Sequence, residues 1–129
     1  MQKIIIPVTP KTKKNSQQII YVKGKPRIIQ SSAYRQYEKD CGVFLTHVEP
    51  FLSPCNVKCL YYMPTHRRVD LVNLQEATLD ILVRYGILMD DNSNVVVSMD
   101  GSRVLYDKTF PRTEIIITEI KDVEMDKEV

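Results

Sequence analysis

Apolar residues along the chain follow two periods, and their succession predicts the fold. Gln2-Lys3-Ile4-Ile5-Ile6 reads as a strand stopped by Pro7 and Pro10. A basic polar stretch, Lys11 to Ser16, follows it. Residues 18–22 and 27–30 read as two strands joined across Lys23-Gly24-Lys25-Pro26, a hairpin. Ser31 or Ser32 can cap a helix, and Tyr34, Tyr37, Cys41, Phe44, Leu45 and Val48 keep the three-four spacing of one helical face. Arg35, Gln36, Lys39 and Asp40 fall on the opposite face, and Pro50 and Pro54 open a loop. Residues 55–63 read as a strand closed by Pro64.

The helical period returns in Leu71, Leu74, Thr78, Ile81, Leu82 and Tyr85, with Gly86 just past the helix end. Val72, Leu79 and Val83 form a second apolar stripe, open to a partner or to another packed element. Ile87-Leu88-Met89 reads as a short strand running into Asp90-Asp91. Residues 94–99 and 103–106 flank Asp100-Gly101, a strong hairpin signal, and residues 112–120 make a last strand. The pattern predicts one α/β (α+β) domain over residues 1–120, a mixed sheet with two main helices. Residues 121–129 form an acidic tail expected to fray.

Composition excludes several classes. No apolar run approaches the ~18 residues of a membrane span, and the start is too short for a signal-peptide apolar region. Three cysteines, Cys41, Cys55 and Cys59, form no CxxC pair, so buried thiols in a reducing cytoplasm are expected rather than a disulfide framework or a zinc site. The net charge of +2 conceals an asymmetry. Residues 1–68 hold 12 Lys+Arg against 3 Asp+Glu, a charge of +9; residues 69–129 hold 6 against 13, a charge of −7. Such a division points to a polyanion-binding part and an acidic part.

The acidic part has structure of its own. Asp70 stands at the start of the second helix, Glu76 and Asp80 lie within it, and Asp90-Asp91 follow it. A chain that enters a helix at Asp70 and leaves a strand at Asp91 can bring both carboxylates to one sheet edge. Hard divalent cations accept one or two carboxylates and keep several waters, and such a metal can activate water against a phosphodiester. The plainer alternatives stay open: Asp70 as an N-cap, Asp80 as a solvated helix residue, Asp90-Asp91 as a turn.

Asp70-Leu71-Val72-Asn73-Leu74-Gln75-Glu76-Ala77, then Asp80, Gly86, Asp90-Asp91 and Val95-Val96, resembles the core motif of the RusA family of Holliday-junction resolvases, crossover-junction endodeoxyribonucleases often carried by prophages. Lys13-Lys14-Asn15-Ser16 after the Pro-rich start, Ala33-Tyr34-Arg35, Arg67-Arg68 before the motif and the closing Pro-Arg-Thr-Glu-Ile segment fit as well. The resemblance implies a role in DNA recombination and repair, a homodimer acting on four-way DNA, and Mg²⁺, with Mn²⁺ as substitute. It implies that Asp70 and Asp91 are metal-binding and catalytic, with Asp90 the first Asp of the pair.

Two positions depart from the family pattern. Its second motif aspartate is Val72 here, which cannot bind a cation, and its helix lysine falls at Glu76, where the charge is reversed. Glu76 lies one turn after Val72 and is a candidate to supply the missing carboxylate, against the alternative of an ordinary solvent-facing helix residue. Lys13, Lys14 or Arg68 would then take the lost cation's role.

Lys11, Lys13, Lys14, Asn15, Lys23, Lys25, Arg27, Arg67 and Arg68 are the candidate DNA-binding residues, because basic loops beside an acidic centre can hold phosphate backbone. The expectation is a cytoplasmic Mg²⁺-dependent, structure-selective endonuclease that resolves Holliday junctions as a homodimer, without a membrane. The competing expectation is a non-cleaving junction-binding protein that has lost its metal site; an oligomeric scaffold is a third.

Overall fold

Alternation in β4 (Cys55–Met63) sets the plan of the molecule. Cys55, Val57, Cys59 and Tyr61 are all buried, while the residues between them are half-buried on the opposite face. In the computed structural model, which describes residues 1–13 and 17–121, β4 lies inside a five-stranded mixed sheet. On one side it pairs antiparallel with β7 (Arg112–Glu119), which in turn pairs antiparallel with β1 (Gln2–Ile6). The register joins Ile4, Ile115 and Cys59 in one buried row and Ile6, Thr113 and Tyr61 in the next. Two helices supply the rest of the core: α1 (Ser32–Val43) through Tyr34, Tyr37 and Cys41, α2 (Leu71–Arg84) through Leu74, Ala77, Ile81 and Leu82. The predicted α+β class, a mixed sheet with two main helices, is the one observed. Among the described residues no helix is long and apolar enough to cross a membrane.

The helix ends follow their local chemistry. Ser31 caps α1 by accepting the Tyr34 N–H at 3.2 Å. At the end of α2, Gly86 takes φ 78°, its N–H donates to the Val83 carbonyl at 3.1 Å, and the Ile87 N–H donates to Leu82 at 2.9 Å. This double closure is what a left-handed glycine after a helix permits. The two helices meet where Gly42 leaves room for the Tyr85 ring, whose hydroxyl donates to the Glu38 carbonyl at 3.2 Å.

Several expectations from the pattern are corrected. Helix α1 stops at Val43, short of Val48, and Phe44 is exposed rather than part of the core face. The first hairpin, β2 (Gln17–Val22) with β3 (Lys25–Gln30), turns on Lys23-Gly24 alone, both at positive φ, so Lys25 and Pro26 belong to β3. Residues 87–89 form no strand. The N–H groups of Ile87 and Leu88 are both spent on the Leu82 carbonyl, closing the helix, so they cannot join a ladder. Of the second apolar stripe, Leu79 and Val83 pack against the monomer's own core, and only Val72 is exposed, at 66%.

The second hairpin is also absent. β5 (Val96–Ser98) and β6 (Arg103–Tyr106) do not pair with each other; both run parallel to β4 along its free edge, one at each end. Asn56 holds the break between them. Its Oδ1 accepts the Asp100 N–H at 2.7 Å and the Ser98 hydroxyl, and its Nδ2 donates to the Asp100 carbonyl at 3.2 Å. Ser102 Oγ accepts the Cys59 N–H at 3.0 Å, so the ladder group left open by the break is still satisfied. The Asp-Gly signal correctly marks a turn but not what the turn joins, because an open edge of β4 competes with local antiparallel pairing.

The thiols are buried and free. Burial pushes Cys41 up to about 11 and Cys59 up to about 12, and it also raises Cys55. Only thiolate reacts. Iodoacetamide at neutral pH is therefore expected to leave all three cysteines unmodified in the folded protein and to alkylate all three in guanidinium; rapid native labelling would contradict this packing.

Candidate nucleic-acid interface

The segment from Met63 to Asp70 positions the candidate site. β4 ends at Met63, whose carbonyl accepts the Asp107 N–H at 2.9 Å, and the chain then turns outward through Pro64 and Thr65. The Arg67 N–H donates to Thr65 Oγ1 at 3.4 Å, so two basic residues are presented just before α2. Asp70 caps α2, accepting the Asn73 N–H at 3.2 Å from an extended backbone. A carboxylate there faces the positive end of the helix dipole.

Across from this segment lies the loop after β1. Lys11 and Thr12 of that loop and Arg67, Arg68 and Val69 line one shallow cleft, with Asp70 next along the chain. Three of the predicted DNA-binding cations thus converge from segments more than fifty residues apart. The others are placed differently. Lys13 makes an ion pair with Asp80 on α2. Lys23, Lys25 and Arg27 are exposed on the β2–β3 hairpin, a sheet of its own. Lys14 and Asn15 lie outside the described residues, as does the acidic tail from Asp122 onward.

The acidic residues are placed as follows. Glu76 is exposed on α2, one turn beyond the exposed Val72. Asp90 holds its own loop: its carboxylate accepts the Asp91 N–H at 2.7 Å and the Asn92 side-chain amide at 3.1 Å. The Asp91 carboxylate is exposed. Among the described residues no three His, Cys, Asp or Glu side chains stand close enough together to hold a metal ion. The Asp70 and Asp90 carboxylates are engaged with backbone and amide donors, and Val72 brings no oxygen. Among the described side chains there is thus no ready-made cage of three acidic ligands.

Two features have no counterpart in the pattern of the sequence. His66 stacks on Tyr106 of β6, with ring centroids 3.9 Å apart and 25° between the planes. Arg112 lies over the Tyr62 ring, 3.7 Å from its centroid, and bonds Asp107 at 2.9 Å and Glu114 at 2.7 Å. Its charge is answered within the protein, so it is not a free cation for a phosphate.

Asp107 also orders the turn before β7, where its carboxylate accepts the N–H groups of Thr109 at 3.2 Å and Phe110 at 3.1 Å. The Arg112 hydrogen bond, aided by Thr109, holds this carboxyl below its ordinary value of 3.8. A lowered folded value means that the turn's contribution is complete above the ordinary value and is lost as pH falls through the lowered one. Thermal melts between pH 5 and pH 2 are expected to fall less steeply for Asp107→Asn than for the parent protein; parallel curves would remove Asp107 from the acid response.

One comparison with known proteins assigns a family. The family model described as endodeoxyribonuclease RusA matches residues 7–118 of the 129-residue chain, a span that includes the cleft, α2 and the whole of β4 to β6. A search of curated proteins gave no match. With its fold and nearly its full length accounted for by that model, the chain belongs to the RusA family of endodeoxyribonucleases.

Proposed function

We propose that the protein binds branched DNA, the four-way junction above all, and resolves it as an endonuclease in recombination and repair. The observation that carries this is the cleft in which Lys11, Arg67 and Arg68 converge beside Asp70. Lys and Arg neutralise phosphates and release their counterions, and such contacts position a duplex without reading its sequence. Two arms at once would need two such clefts, so we infer a homodimer as the acting form, with Mg²⁺ or Mn²⁺ as the cofactor to be tested and Asp70, Asp91, Asp90 and Glu76 as the groups to be tested for it.

A second reading rests on its own observation. Val72 stands where the family motif has an aspartate, and no three acidic side chains are gathered among the described residues. These favour a non-cleaving junction binder. One assay separates the two: a synthetic four-way junction incubated with the protein in Mg²⁺, in Mn²⁺ and in EDTA. Paired nicks that appear only with a divalent ion support the resolvase, and Glu76→Gln should then lower the apparent Mg²⁺ affinity if Glu76 replaces the missing carboxylate. Binding under all three conditions without nicking supports the binder. No salt-dependent binding at all would reject both.

A further inference from the structure

The stacked pair of His66 and Tyr106 stands on the free edge of the sheet. Tyr106 is 44% exposed and His66 is exposed, and β6 has no further strand beyond it among the described residues. Thr65, His66 and Arg67 on one side and Val104, Leu105 and Tyr106 on the other line a hollow around the pair. Thr65 and Arg67 also line the cationic cleft, so the two hollows share a wall. The Asp107 N–H bonded to the Met63 carbonyl ties the end of β6 to the end of β4, which keeps the two ring-bearing segments together.

An exposed stack of two planar rings offers an outer π-face that any nucleobase can cover, whatever its sequence. Charge says which planar ligand arrives there. The neighbouring wall presents Arg67, with Lys11 and Arg68 beyond it, to a phosphate. A nucleotide whose phosphate lies on that wall carries its base toward the rings. In a continuous duplex that base is paired and stacked on both sides; at an opened branch point its pair has lost a stacking neighbour on one side, so it leaves the helix at a lower cost.

We propose that His66 and Tyr106 form a stacking platform for a base whose pair opens at the branch point of DNA held in the Lys11–Arg67–Arg68 cleft. This rests on the branched-DNA reading above and adds to it a site for a base, which the cleft alone does not supply. The platform discriminates between branched and continuous DNA, whereas the cleft grips both.

The test uses the full chain and a four-way junction carrying 2-aminopurine at the branch, with a continuous duplex of the same sequence beside it. Tyr106→Ala and His66→Ala are each expected to weaken junction binding about tenfold, the effect of losing one base–aromatic stack, while duplex binding stays as in the parent. The emission of the bound 2-aminopurine is expected to rise when the ring is removed, and Tyr106→Phe is expected to restore both signals. Retained duplex binding and an unchanged melting curve show that a variant is folded; if Tyr106→Ala is not, Tyr106→Leu keeps the bulk without the π-face. Junction affinity and emission that match the parent in both His66→Ala and a folded Tyr106 variant overturn the platform and leave the branched-DNA reading intact. Failure of the parent protein to bind the junction overturns that reading, and the platform falls with it.

Discussion

Replacing Lys11, Arg67 and Arg68 together with alanine is expected to weaken junction binding about a thousand-fold or more at low salt. Each charge-assisted contact to a phosphate contributes roughly 1.5 kcal/mol or more, and each factor of ten in affinity is about 1.4 kcal/mol. The three side chains line one cleft from two segments distant in sequence, so they are expected to act on one stretch of backbone. The dependence of log affinity on log salt should flatten by about three, one unit per lost phosphate contact. Duplex and junction affinity should fall in parallel, because phosphate contacts do not distinguish them. Lys23→Ala with Lys25→Ala on the hairpin serves as comparison. If that pair flattens the salt slope and the triple variant does not, the DNA lies across the hairpin and the cleft assignment is wrong.

Two buried tyrosines are expected to respond in opposite directions to the loss of a hydroxyl. The Tyr61 hydroxyl meets Thr78 Oγ1 at 2.7 Å, and Thr78 donates to the Leu74 carbonyl at 3.0 Å. Since the Thr78 proton is used on Leu74, Tyr61 is the donor, and the chain of two bonds fastens β4 to the first turns of α2. Tyr61→Phe leaves Thr78 without that donor and is expected to cost about 1–2 kcal/mol; Tyr61→Ala removes a fully buried ring as well and is expected to cost about 3–5 kcal/mol. Tyr34 is equally buried, but its hydroxyl has no hydrogen-bond partner among the described residues. Burial first, then the nearby Glu38 and Asp80 carboxylates, disfavour its ionisation, so it stays a neutral, unsatisfied phenol. Tyr34→Phe is therefore expected to be neutral or to stabilise by about 1 kcal/mol. Guanidinium unfolding of the three variants decides this, and equal losses for the two Phe substitutions would refute the assignment of partners.

The placement of α2 matters to function as well as to stability. Asp70, Val72, Glu76 and Asp80 ride on that helix, and its N-terminus sets where the segment from Arg67 to Val69 meets the loop carrying Lys11. Loosening the Tyr61–Thr78 tie is thus expected to disturb the cleft before it unfolds the domain.

How much of this was legible beforehand depends on the range of the interactions involved. The strand at residues 55–63, the α2 face and its caps, and the left-handed glycine at its end were readable, because period, capping and backbone freedom are properties of neighbouring residues. The motif from Asp70 to Asp91 was readable as a resemblance, and the family model agrees with it. Residues 87–89 and the Asp100 turn were misread for one reason. Apolar runs and turn signals say that a segment is buried or bends, and they do not say which donor or edge it finds. The apolar stripe through Leu79 and Val83 was ambiguous in the same way, since a helix alone does not show how many of its faces a monomer covers.

By itself, then, the sequence determined the class of fold, the two helices and the central strand, the buried thiols and the family, all of which follow from short-range pattern or from a contiguous motif. Only the tertiary structure decided that Lys11 joins Arg67 and Arg68, that Lys13 goes instead to Asp80, and that His66 finds Tyr106. Those pairings bring together residues from well-separated elements. Each is settled by sheet register and helix packing, which depend on competition among all the available edges and faces and are written in no single stretch of the chain.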